Sequence, residues 1–476
     1  MKSRAFCICL LAILAIASQC PAASQAAEQS LRQSQRGKPN VVLIFTDDQG
    51  YADLSCYGSK TIRTPNIDTL ARDGRKFTSF LVASSVCTPS RAALMTGCYP
   101  ERVGLNGGAL FPGVGIGLSP DEHTIADYLK AEGYATACIG KWHLGDRPEV
   151  LPTTNGFDSY YGIPYSNDMI GRKILTKMPG TEALDYCWKE PKTTVTVWGV
   201  PLTENENVLE RPVDQRTITR RYTQKAIDFI KANKDKPFFV YLPHSMPHIP
   251  LYVPDDVRDP DPKNAYINTI EHLDAEVGRL LKTLDELDLT KTTYVVYTSD
   301  NGPWLKYEHH AGSAGPFRDG KMSTYEGGHR VPFLIRGPGI PAGTVSDGLI
   351  TAMDVLPTLA EIIGEPLPTQ NKIDGVSVLG LWNGTAKESP RNEFVYYEMN
   401  GNLAGLRQGN WKLRIGRRKS GTELFDLAQD PGETTNLADA NPEIVAKLKA
   451  RMEELHTEIS QNSRPCWKKK GKIKQK

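Results

Sequence analysis

Apolar runs and amphipathic segments alternate along most of the chain. Four continuous apolar runs are typical of buried strands, at 40–46 (NVVLIFT), 134–139, 237–242 and 293–298. Apolar residues at helical spacing predict helices between them, at 123–132, 217–232 and 264–287. Thr64 and Pro65 have the pattern of an N-cap followed by a first helical turn. Together they predict an α/β fold with a large, mixed but mostly parallel sheet sandwiched by helices.

The pattern changes after about residue 376. Four short β-prone segments, at 394–397, 405–407, 411–414 and 423–426, precede a helical segment at 442–459. They predict a smaller C-terminal antiparallel sheet plus helix. We therefore divide the chain into a signal peptide, a linker, a main domain, a C-terminal α+β subdomain and a basic tail, with bounds 1–26, 27–38, 39–375, 376–465 and 466–476.

The first residues have the pattern of an export signal. Lys2 and Arg4 precede an apolar run over 5–17 that is too short to span a bilayer as a helix. Small residues follow, and the string SQA suits cleavage before Ala27. Cys20 suggests a lipid anchor as the alternative, but the residues before it lack the usual leucine and small-residue pattern. We expect a secreted or periplasmic protein without a transmembrane segment, lysosomal if the host is eukaryotic.

Charge and cysteine content narrow the classes of partner. The 476 residues carry a formal net charge of +2, but six lysines lie in 468–476 and the charge without them is −4. No basic face remains that would predict nucleic-acid binding. The six cysteines after the signal peptide form no CxxC pair and no Cys/His zinc spacing, which argues against a thiolate metal site.

Polar residues follow the predicted strands at the point where each ends. Asp47 and Asp48 end the first strand, and the pair Asp300-Asn301 ends the strand at 293–298. Lys141 and His248 also fall at or after strand ends, and ligands of such sheets lie beyond the carboxyl ends of the strands. Four oxygen donors without clustered His or Cys suit a hard cation such as Ca²⁺ or Mg²⁺. Taken singly, each pair is also typical of a tight turn.

Two longer motifs carry a resemblance to a known family. The string SVCTPSRAALMTG at 85–97 resembles the first signature of the sulfatases, in which Cys-x-Pro-x-Arg is recognised by a modifying enzyme. GYATACIGKWH at 133–143 resembles their second signature. The resemblance runs from about residue 40 to LFDL at 424–427 and is closest to the arylsulfatase A and N-acetylgalactosamine-6-sulfatase branch. It implies the fold of the alkaline phosphatase superfamily.

The resemblance also implies a cofactor and a set of site residues. Cys87 would be converted to formylglycine (3-oxoalanine) by a formylglycine-generating enzyme. Ca²⁺, with Mg²⁺ as the alternative, would be bound by Asp47, Asp48, Asp300, Asn301 and the oxygen on residue 87. Arg91 and His143 would hold the hydrated formylglycine, and His248 would lie beside the leaving oxygen. The sulfate contacts would be Lys141, Ser166, His248 and Lys321.

The implied function is that of a sulfuric ester hydrolase. It would remove sulfate from aryl sulfates or, in nature, from sulfated carbohydrates, through a geminal-diol nucleophile and a covalent sulfo-enzyme. Two alternatives stay open: a formylglycine-dependent phosphodiesterase or phosphonate monoester hydrolase, and a sulfoglycan-binding protein without turnover. Asn301 argues against the first alternative, because such enzymes tend to have Asp-His at the positions of Asp300 and Asn301. His309 and His310 are candidates for contacting the organic part of the substrate, whereas His244 is expected to be structural.

Overall fold

The computed structural model describes residues 37–170, 180–416 and 421–470. The predicted signal peptide and nearly all of the predicted linker lie outside the described residues. The strands within these ranges are β1 Asn40–Thr46, β2 Arg75–Phe77, β3 Phe80–Leu81, β4 Ile116–Gly117, β5 Ala135–Lys141, β6 Ser159–Ile163, β7 Leu202–Glu204, β8 Asn207–Glu210, β9 Phe238–Pro243, β10 Thr293–Ser299, β11 Phe333–Arg336, β12 Thr344–Ser346, β13 Ile350–Thr351, β14 Glu393–Tyr397, β15 Leu403–Gln408, β16 Trp411–Ile415, β17 Thr422–Asp426 and β18 Trp467–Lys468.

Helices connect most of these strands. The α-helices of the described ranges are α1 Asp68–Arg72, α2 Cys87–Thr96, α3 Ile125–Ala131, α4 Glu182–Lys189, α5 Pro191–Thr194, α6 Ile218–Asn233, α7 Ala265–Glu286, α8 Glu326–His329, α9 Val355–Ile363, α10 Leu379–Trp382 and α11 Pro442–Gln461. Short 3-10 helices lie at Ser55–Tyr57, Pro148–Val150, Pro152–Thr154, Val195–Val197, Pro262–Asn264, Thr290–Thr292, Leu305–His310 and Ala352–Asp354.

The main sheet has ten strands in the order β12-β2-β11-β10-β1-β9-β5-β6-β7-β8. Its five central strands, from β10 to β6, are all parallel to one another. Antiparallel pairs flank them, β10 with β11 on one side and β6 with β7 on the other. The predicted α/β class with a mixed, mostly parallel sheet is confirmed.

Both faces of this sheet are covered. Val42 and Ile44 of β1 pack in the cluster that also holds the apolar faces of α6 and α7. Val41, Leu43 and Phe45 point to the other face and pack with α2, α3 and α9. A strand buried on both faces reads as a continuous apolar run, which is why NVVLIFT was recognisable from the sequence.

The C-terminal sheet is antiparallel in the order β14-β15-β16-β17, and α11 packs against it in a cluster of its own. The predicted small sheet plus helix is confirmed, with strand bounds that differ from the prediction by one or two residues. Part of the predicted basic tail is also placed. Trp467 and Lys468 pair with Ile116 and Gly117 as a two-stranded ribbon, and residues 471–476 lie outside the described ranges.

A cluster of buried charges joins the C-terminal sheet to the main domain; we call Glu326, Lys412 and Glu433 the interdomain cluster. The Lys412 ammonium is fully buried and lies 2.9 Å from Glu326 Oε1 and 2.8 Å from Glu433 Oε1. Tyr396 Oη donates to Glu326 Oε1 at 2.7 Å. Burial opposes the charge on Glu326, but Lys412 and two nearby arginines outweigh it and lower the pKa of that carboxyl.

The start of α1 corrects one expectation. The sequence predicted Thr64 as the N-cap of a helix beginning at Pro65, but the helix begins at Asp68 and residues 65–67 form a turn. The reason is competition for the Thr64 hydroxyl, which accepts the Ser55 amide at 2.9 Å and donates to Asp68 Oδ1 at 2.9 Å. The oxygen that would cap the helix is therefore used elsewhere.

Neither disulfides nor membrane helices stabilise this fold in the described ranges. All six cysteines from Cys56 to Cys466 are free. No helix within those ranges combines the length and the apolar character needed to cross a bilayer.

Candidate active site

Five adjacent parallel strands present polar residues at one edge of the main sheet. In spatial order, β10, β1, β9, β5 and β6 lead to Asp300, Asp47, His248, Lys141 and Ser166. Lys141 is the last residue of its strand, and the others lie one to five residues beyond theirs. The sequence predicted that the strand ends bring these residues together, and the structure places them at one edge of the sheet.

Helix α2 brings two more of the predicted residues. Cys87 is its first residue and follows Val86, whose backbone is extended. Arg91 lies one turn further on, so both side chains emerge on the same side of the helix. The Arg91 guanidinium approaches Asp300 Oδ2 at 2.7 and 3.1 Å and donates to the Lys141 carbonyl at 3.0 Å. These bonds fix the start of α2 against the ends of β10 and β5.

Lys321 arrives on a loop that is bound at two points. Its amide donates to the Pro303 carbonyl at 2.9 Å, and the amide of Met322 donates to the Ser85 carbonyl at 3.0 Å. Met322 has φ 72°, a left-handed conformation that is costly without a glycine. The Lys321 ammonium lies 2.6 and 2.8 Å from the two oxygens of Asp48. The loop thus places a lysine against the carboxylates of β1 from the side opposite the sheet.

Carboxylates and cations are packed together at this edge and are almost entirely buried. Lys141 donates to Asp47 Oδ2 and, at 3.1 Å, to Ser166 Oγ. Asp48 accepts the Asn301 amide at 2.7 Å. Three carboxylates, those of Asp47, Asp48 and Asp300, therefore face Arg91, Lys141 and Lys321.

The crowding of these charges changes their ionisation. Burial raises the pKa of Asp47, but the charges of Lys141 and Arg91 outweigh it and hold that pKa well below its usual range. For Asp300, burial and the negative charge of Asp47 raise the pKa to about 7 despite Arg91. Adjacent carboxylates repel each other, and a bound cation would relieve that repulsion.

The donor atoms fit a hard divalent cation. Asp47 Oδ1 and Asn301 Oδ1 are buried and have no hydrogen-bond partner. Oxygens of Asp47 and Asp48 and a ring nitrogen of His248 lie within 4.8 Å of one another. Because the predicted set of Asp47, Asp48, Asp300 and Asn301 offers only oxygen ligands, it suits Ca²⁺ or Mg²⁺ better than Zn²⁺.

A cavity of about 190 Å³ opens above these residues. Its polar part is formed by Cys87, Ser166, Asp168, His248 and Lys321. Its apolar part is formed mainly by Phe111, Met169, Trp304, Met322 and Met399. The sequence singled out none of these apolar residues. Trp304 is close to Asn301 in the sequence, so it could have been predicted to lie near the site. Met399 comes from the turn between β14 and β15, and nothing in the sequence predicts that it reaches the cavity.

The ring of His248 is oriented by the backbone. Because the Ile249 carbonyl, 2.6 Å from Nδ1, only accepts, Nδ1 must carry the hydrogen. Nε2 then faces Ser166 Oγ at 3.3 Å and Asp48 Oδ2 at 3.6 Å. Burial and the charge of Lys321 lower the pKa of His248 to about 3, so the ring is neutral in this structure.

His143 is fixed in the same manner but through its other nitrogen. Nε2 donates to the Leu110 carbonyl at 3.0 Å, and Nδ1 is buried without a partner. Burial, reinforced by Lys141 and Arg91, holds the pKa of His143 well below its usual range. The ring therefore presents an unprotonated Nδ1, and His143 is not among the residues that line the cavity.

The remaining histidines of interest lie outside the cavity. His244 is fully buried, neither ring nitrogen has a partner, and its ring packs near Tyr222. His309 and His310 both bond Asp185 Oδ1, at 2.7 and 2.8 Å, and neither lines the cavity.

Comparison with known proteins identifies the family of this chain. The sulfatase family profile matches residues 39–365, and the profile of the N-sulphoglucosamine sulphohydrolase C-terminal region matches residues 315–458. The chain belongs to the sulfatase family. Human arylsulfatase A is 38% identical to this sulfatase over 445 residues, which cover 86% of each chain. The enzyme is accordingly a sulfuric ester hydrolase.

Solved structures agree with the fold of this sulfatase. A crystal structure of Ps i-CgsB in complex with k-i-k-neocarrahexaose is 29% identical, with a TM-score of 0.75 and coverage of 90% of this chain and 94% of the other. The phosphonate monoester hydrolase of Agrobacterium radiobacter is 21% identical with a TM-score of 0.62, covering 89% and 96% of the chains. At that identity the second likeness concerns the fold alone.

Proposed function

We propose that this sulfatase hydrolyses sulfate esters through a formylglycine made from Cys87, assisted by Ca²⁺ bound at Asp47, Asp48, Asp300 and Asn301. The observation that carries the proposal is the position of Cys87, which lines the cavity at the start of a buried helix beside these carboxylates. Burial raises the pKa of the Cys87 thiol to about 11 even though Lys141 and Lys321 lower it. An unmodified thiol is protonated at neutral pH and is a poor nucleophile.

The proposed cofactors supply the nucleophile and its activation. A hydrated formylglycine at residue 87 offers one oxygen to attack sulfur and a second to release the sulfate, and a divalent cation polarises both the nucleophile and the sulfate. Mg²⁺ satisfies the same oxygen ligands and is the alternative metal. The formylglycine-generating enzyme is then a necessary partner during biosynthesis.

The first half-reaction transfers the sulfuryl group to residue 87, while Asp300 takes the proton of the attacking hydroxyl. Lys141, Ser166 and Lys321 bind the sulfate oxygens, and the two lysines neutralise charge that builds up as the bond to the alcohol breaks. Burial lowers the pKa of Lys321, but Asp48 and other nearby negative groups outweigh it and raise that pKa, so the ammonium stays charged. The departing alcohol takes up a proton. We assign its donation to His248 and Lys321 acting as a pair, because the His248 ring by itself is neutral.

The second half-reaction releases sulfate by breaking the C–O bond at residue 87. His143 Nδ1 accepts the proton of the remaining hydroxyl, whose electron pair forms the carbonyl while sulfate leaves. The unpartnered, unprotonated Nδ1 supports this role. Water then adds to the aldehyde and restores the diol. Arg91 orients residue 87 and Asp300 throughout.

The substrate we propose is a sulfated carbohydrate, with aryl sulfates as surrogates. The cavity is lined by the aromatic side chains of Trp304 and Phe111, and aromatic side chains suit the apolar faces of sugar and aryl rings. The oligosaccharide bound in the Ps i-CgsB structure supports a carbohydrate. Export by the N-terminal segment would place the enzyme where such substrates are found. Asn301 supports sulfate over phosphonate esters.

Peptide mass spectrometry tests the modification directly. In the active enzyme, the tryptic peptide 77–91 contains residue 87 and should be about 18 Da lighter than the cysteine form. The adjacent peptide 92–102 contains Cys98 and serves as the internal control, because it should keep the cysteine mass. Full activity with only unmodified Cys87 would refute the mechanism. Higher rates on phosphonate than on sulfate monoesters would refute the substrate class.

Metal removal tests the cation. Chelation should abolish the hydrolysis of sulfate esters, and Ca²⁺ or Mg²⁺ should restore it, because the ligand set is all oxygen. The rate of nitrophenyl sulfate hydrolysis after each addition is the measurement. Recovery with Zn²⁺ alone would contradict the assignment.

A further inference from the structure

Three side chains that the sulfatase chemistry does not use converge beside the cleft. His309 Nε2 and His310 Nε2 lie 2.7 and 2.8 Å from the same oxygen of Asp185, and the three ligand atoms fall within 4.8 Å of one another. Asp185 lies in the first turn of α4, whereas the two histidines end the 3-10 helix Leu305–His310. We propose that Asp185, His309 and His310 form a second metal site, for Zn²⁺ or a similar transition-metal ion.

The backbone is shaped to bring the two rings together. Consecutive residues of a regular helix point in different directions and do not meet on one ligand. Glu308 has φ 48° and ψ −115°, far from the usual regions for a residue with a side chain, and this kink brings the rings to a centroid distance of 4.6 Å. Such a conformation costs about 1–3 kcal/mol and is typical of functional sites. A metal bound by both rings would offset that cost.

The opposite side of the site is held rigidly. Helix α4 buries Leu184, Cys187 and Trp188 in the core, and the Trp188 indole donates to the Asp259 carbonyl at 2.7 Å. Asp185 is therefore presented from a fixed helix. His310 is only 1% exposed, and burial lowers its pKa, which keeps the ring neutral. Nε2 donates to Asp185 here, so its hydrogen must move to Nδ1 for Nε2 to bind a metal.

The spacing suits a small tetrahedral ion after a modest adjustment. Ligand atoms about 2.0–2.1 Å from Zn²⁺ lie roughly 3.4 Å apart in a tetrahedron. The present distances of 2.7 and 2.8 Å must therefore open by about 0.6 Å. The side chains of His309 and Asp185 are 26% and 28% exposed, so they have room to move. The same exposure leaves the fourth ligand position to water.

The ligand atoms of this site differ from those of the proposed catalytic metal site. Two imidazole nitrogens and one carboxylate oxygen favour Zn²⁺, Co²⁺ or Ni²⁺, whereas Ca²⁺ and Mg²⁺ prefer oxygen alone. None of the three residues lines the catalytic cavity. The site instead links α4 to the segment that follows Trp304, which packs against Tyr307 at 4.8 Å between ring centroids. Metal binding here would stiffen one wall of the cleft without entering the chemistry.

Titration with Zn²⁺ and Co²⁺ tests the site in the full mature enzyme, purified without a histidine tag and kept in excess Ca²⁺ to occupy the catalytic ligands. We expect one equivalent of Zn²⁺ to bind, a rise in the thermal melting temperature, and Co²⁺ to give the intense visible bands of a tetrahedral site. The His309→Ala variant should weaken Zn²⁺ binding by at least about tenfold, because even indirect metal contacts carry that much. Because His309 is partly exposed, the substitution should not prevent folding, and misfolding would not explain the weaker binding.

Two further variants separate the metal from other roles. Asp185→Asn keeps the shape of the side chain but removes its charge, and it should also lose the Co²⁺ bands. His123→Ala removes a histidine elsewhere on the surface and should bind Zn²⁺ as the parent does. Absence of a bound equivalent in the parent would overturn the proposal. Equal Zn²⁺ affinity in the parent and in His309→Ala would overturn it as well, since the cluster would then be only a hydrogen-bonded clamp.

Discussion

The molecule holds two clusters of buried charge that resemble each other in composition and differ in their surroundings. In the interdomain cluster, Lys412 lies between Glu326 and Glu433 and the carboxylates also accept a tyrosine hydroxyl and a backbone amide. Both clusters keep buried oxygens without a hydrogen-bond donor, Glu326 Oε2 in the first and Asp47 Oδ1 and Asn301 Oδ1 at the proposed active site. The first cluster lies where the C-terminal sheet meets the rest of the protein, whereas the second borders a cavity.

This difference indicates what each cluster is for. Removing one partner of an enclosed ion pair leaves an uncompensated buried charge, so the cost falls on folding. In the active site, three carboxylates repel one another, and burial with the charge of Asp47 raises the pKa of Asp300 to about 7. Removing the negative charge of Asp300 relieves this repulsion, so the cost falls on catalysis. A position beside a cavity, and not burial alone, is therefore what marks a charge cluster as functional.

The largest effect should follow from Asp300→Asn. We expect kcat/KM to fall by at least about 10³-fold, or roughly 4 kcal/mol, because the side chain is a proposed metal ligand at the centre of the charge cluster. The free energy of unfolding in urea should be unchanged or slightly higher. A variant that unfolds readily but keeps its specific activity would reverse the comparison.

For Lys412→Met we expect a loss of stability with little change in catalysis. The substitution leaves Glu326 and Glu433 buried together without their cation and should destabilise the protein by about 3–5 kcal/mol. The kcat of the folded fraction should change little. Urea titration measures the first quantity and steady-state kinetics the second. Lys387→Met, at an exposed lysine, is the matched control and should leave stability within about 0.5 kcal/mol.

His248→Ala should separate substrates by their leaving group. We expect a loss of about 10²-fold on sugar sulfates, whose alkoxides need a proton, and a much smaller loss on nitrophenyl sulfate. His244→Ala removes a nearby buried ring that has no contact with the cavity and should lower both rates equally. If His248→Ala also affects both substrates equally, the ring is not part of the proton donor.

The smallest effect concerns another buried carboxylate, Glu101, which has no cation partner among the residues that the structure describes. Burial raises its pKa to about 8, so the folded protein holds this proton more tightly than the unfolded chain does. Stability should therefore fall as pH rises from about 5 to 8 and then level off. Glu101→Gln should lose this dependence and become more stable than the parent at pH 8–9 by on the order of 1 kcal/mol. Melting temperatures across that range measure it, and a parallel fall in both proteins would contradict it.

The predictions from sequence succeeded where a local pattern reports directly on structure. Asp47, Lys141 and Asp300 could be assigned to one edge because each ends a run of buried-strand type and parallel strands end together. They failed where the outcome depends on distant partners. Thr64 resembled a cap because its competitor Ser55 lies nine residues away. The sequence around Lys412 likewise gives no indication that this lysine is buried. The sequence of the short strand β2 does not predict that it pairs with β11, more than 250 residues later.

Met399 has a consequence for how such enzymes diversify. It reaches the cavity from the turn that joins β14 to β15, while Cys87, on the cavity floor, belongs to the other end of the chain. A surface turn tolerates changes in length and sequence far better than a buried helix does. Exchanging that one turn between relatives would alter the shape of the cavity and leave the proposed catalytic groups untouched. Recognition and chemistry in this molecule are therefore free to evolve at different rates.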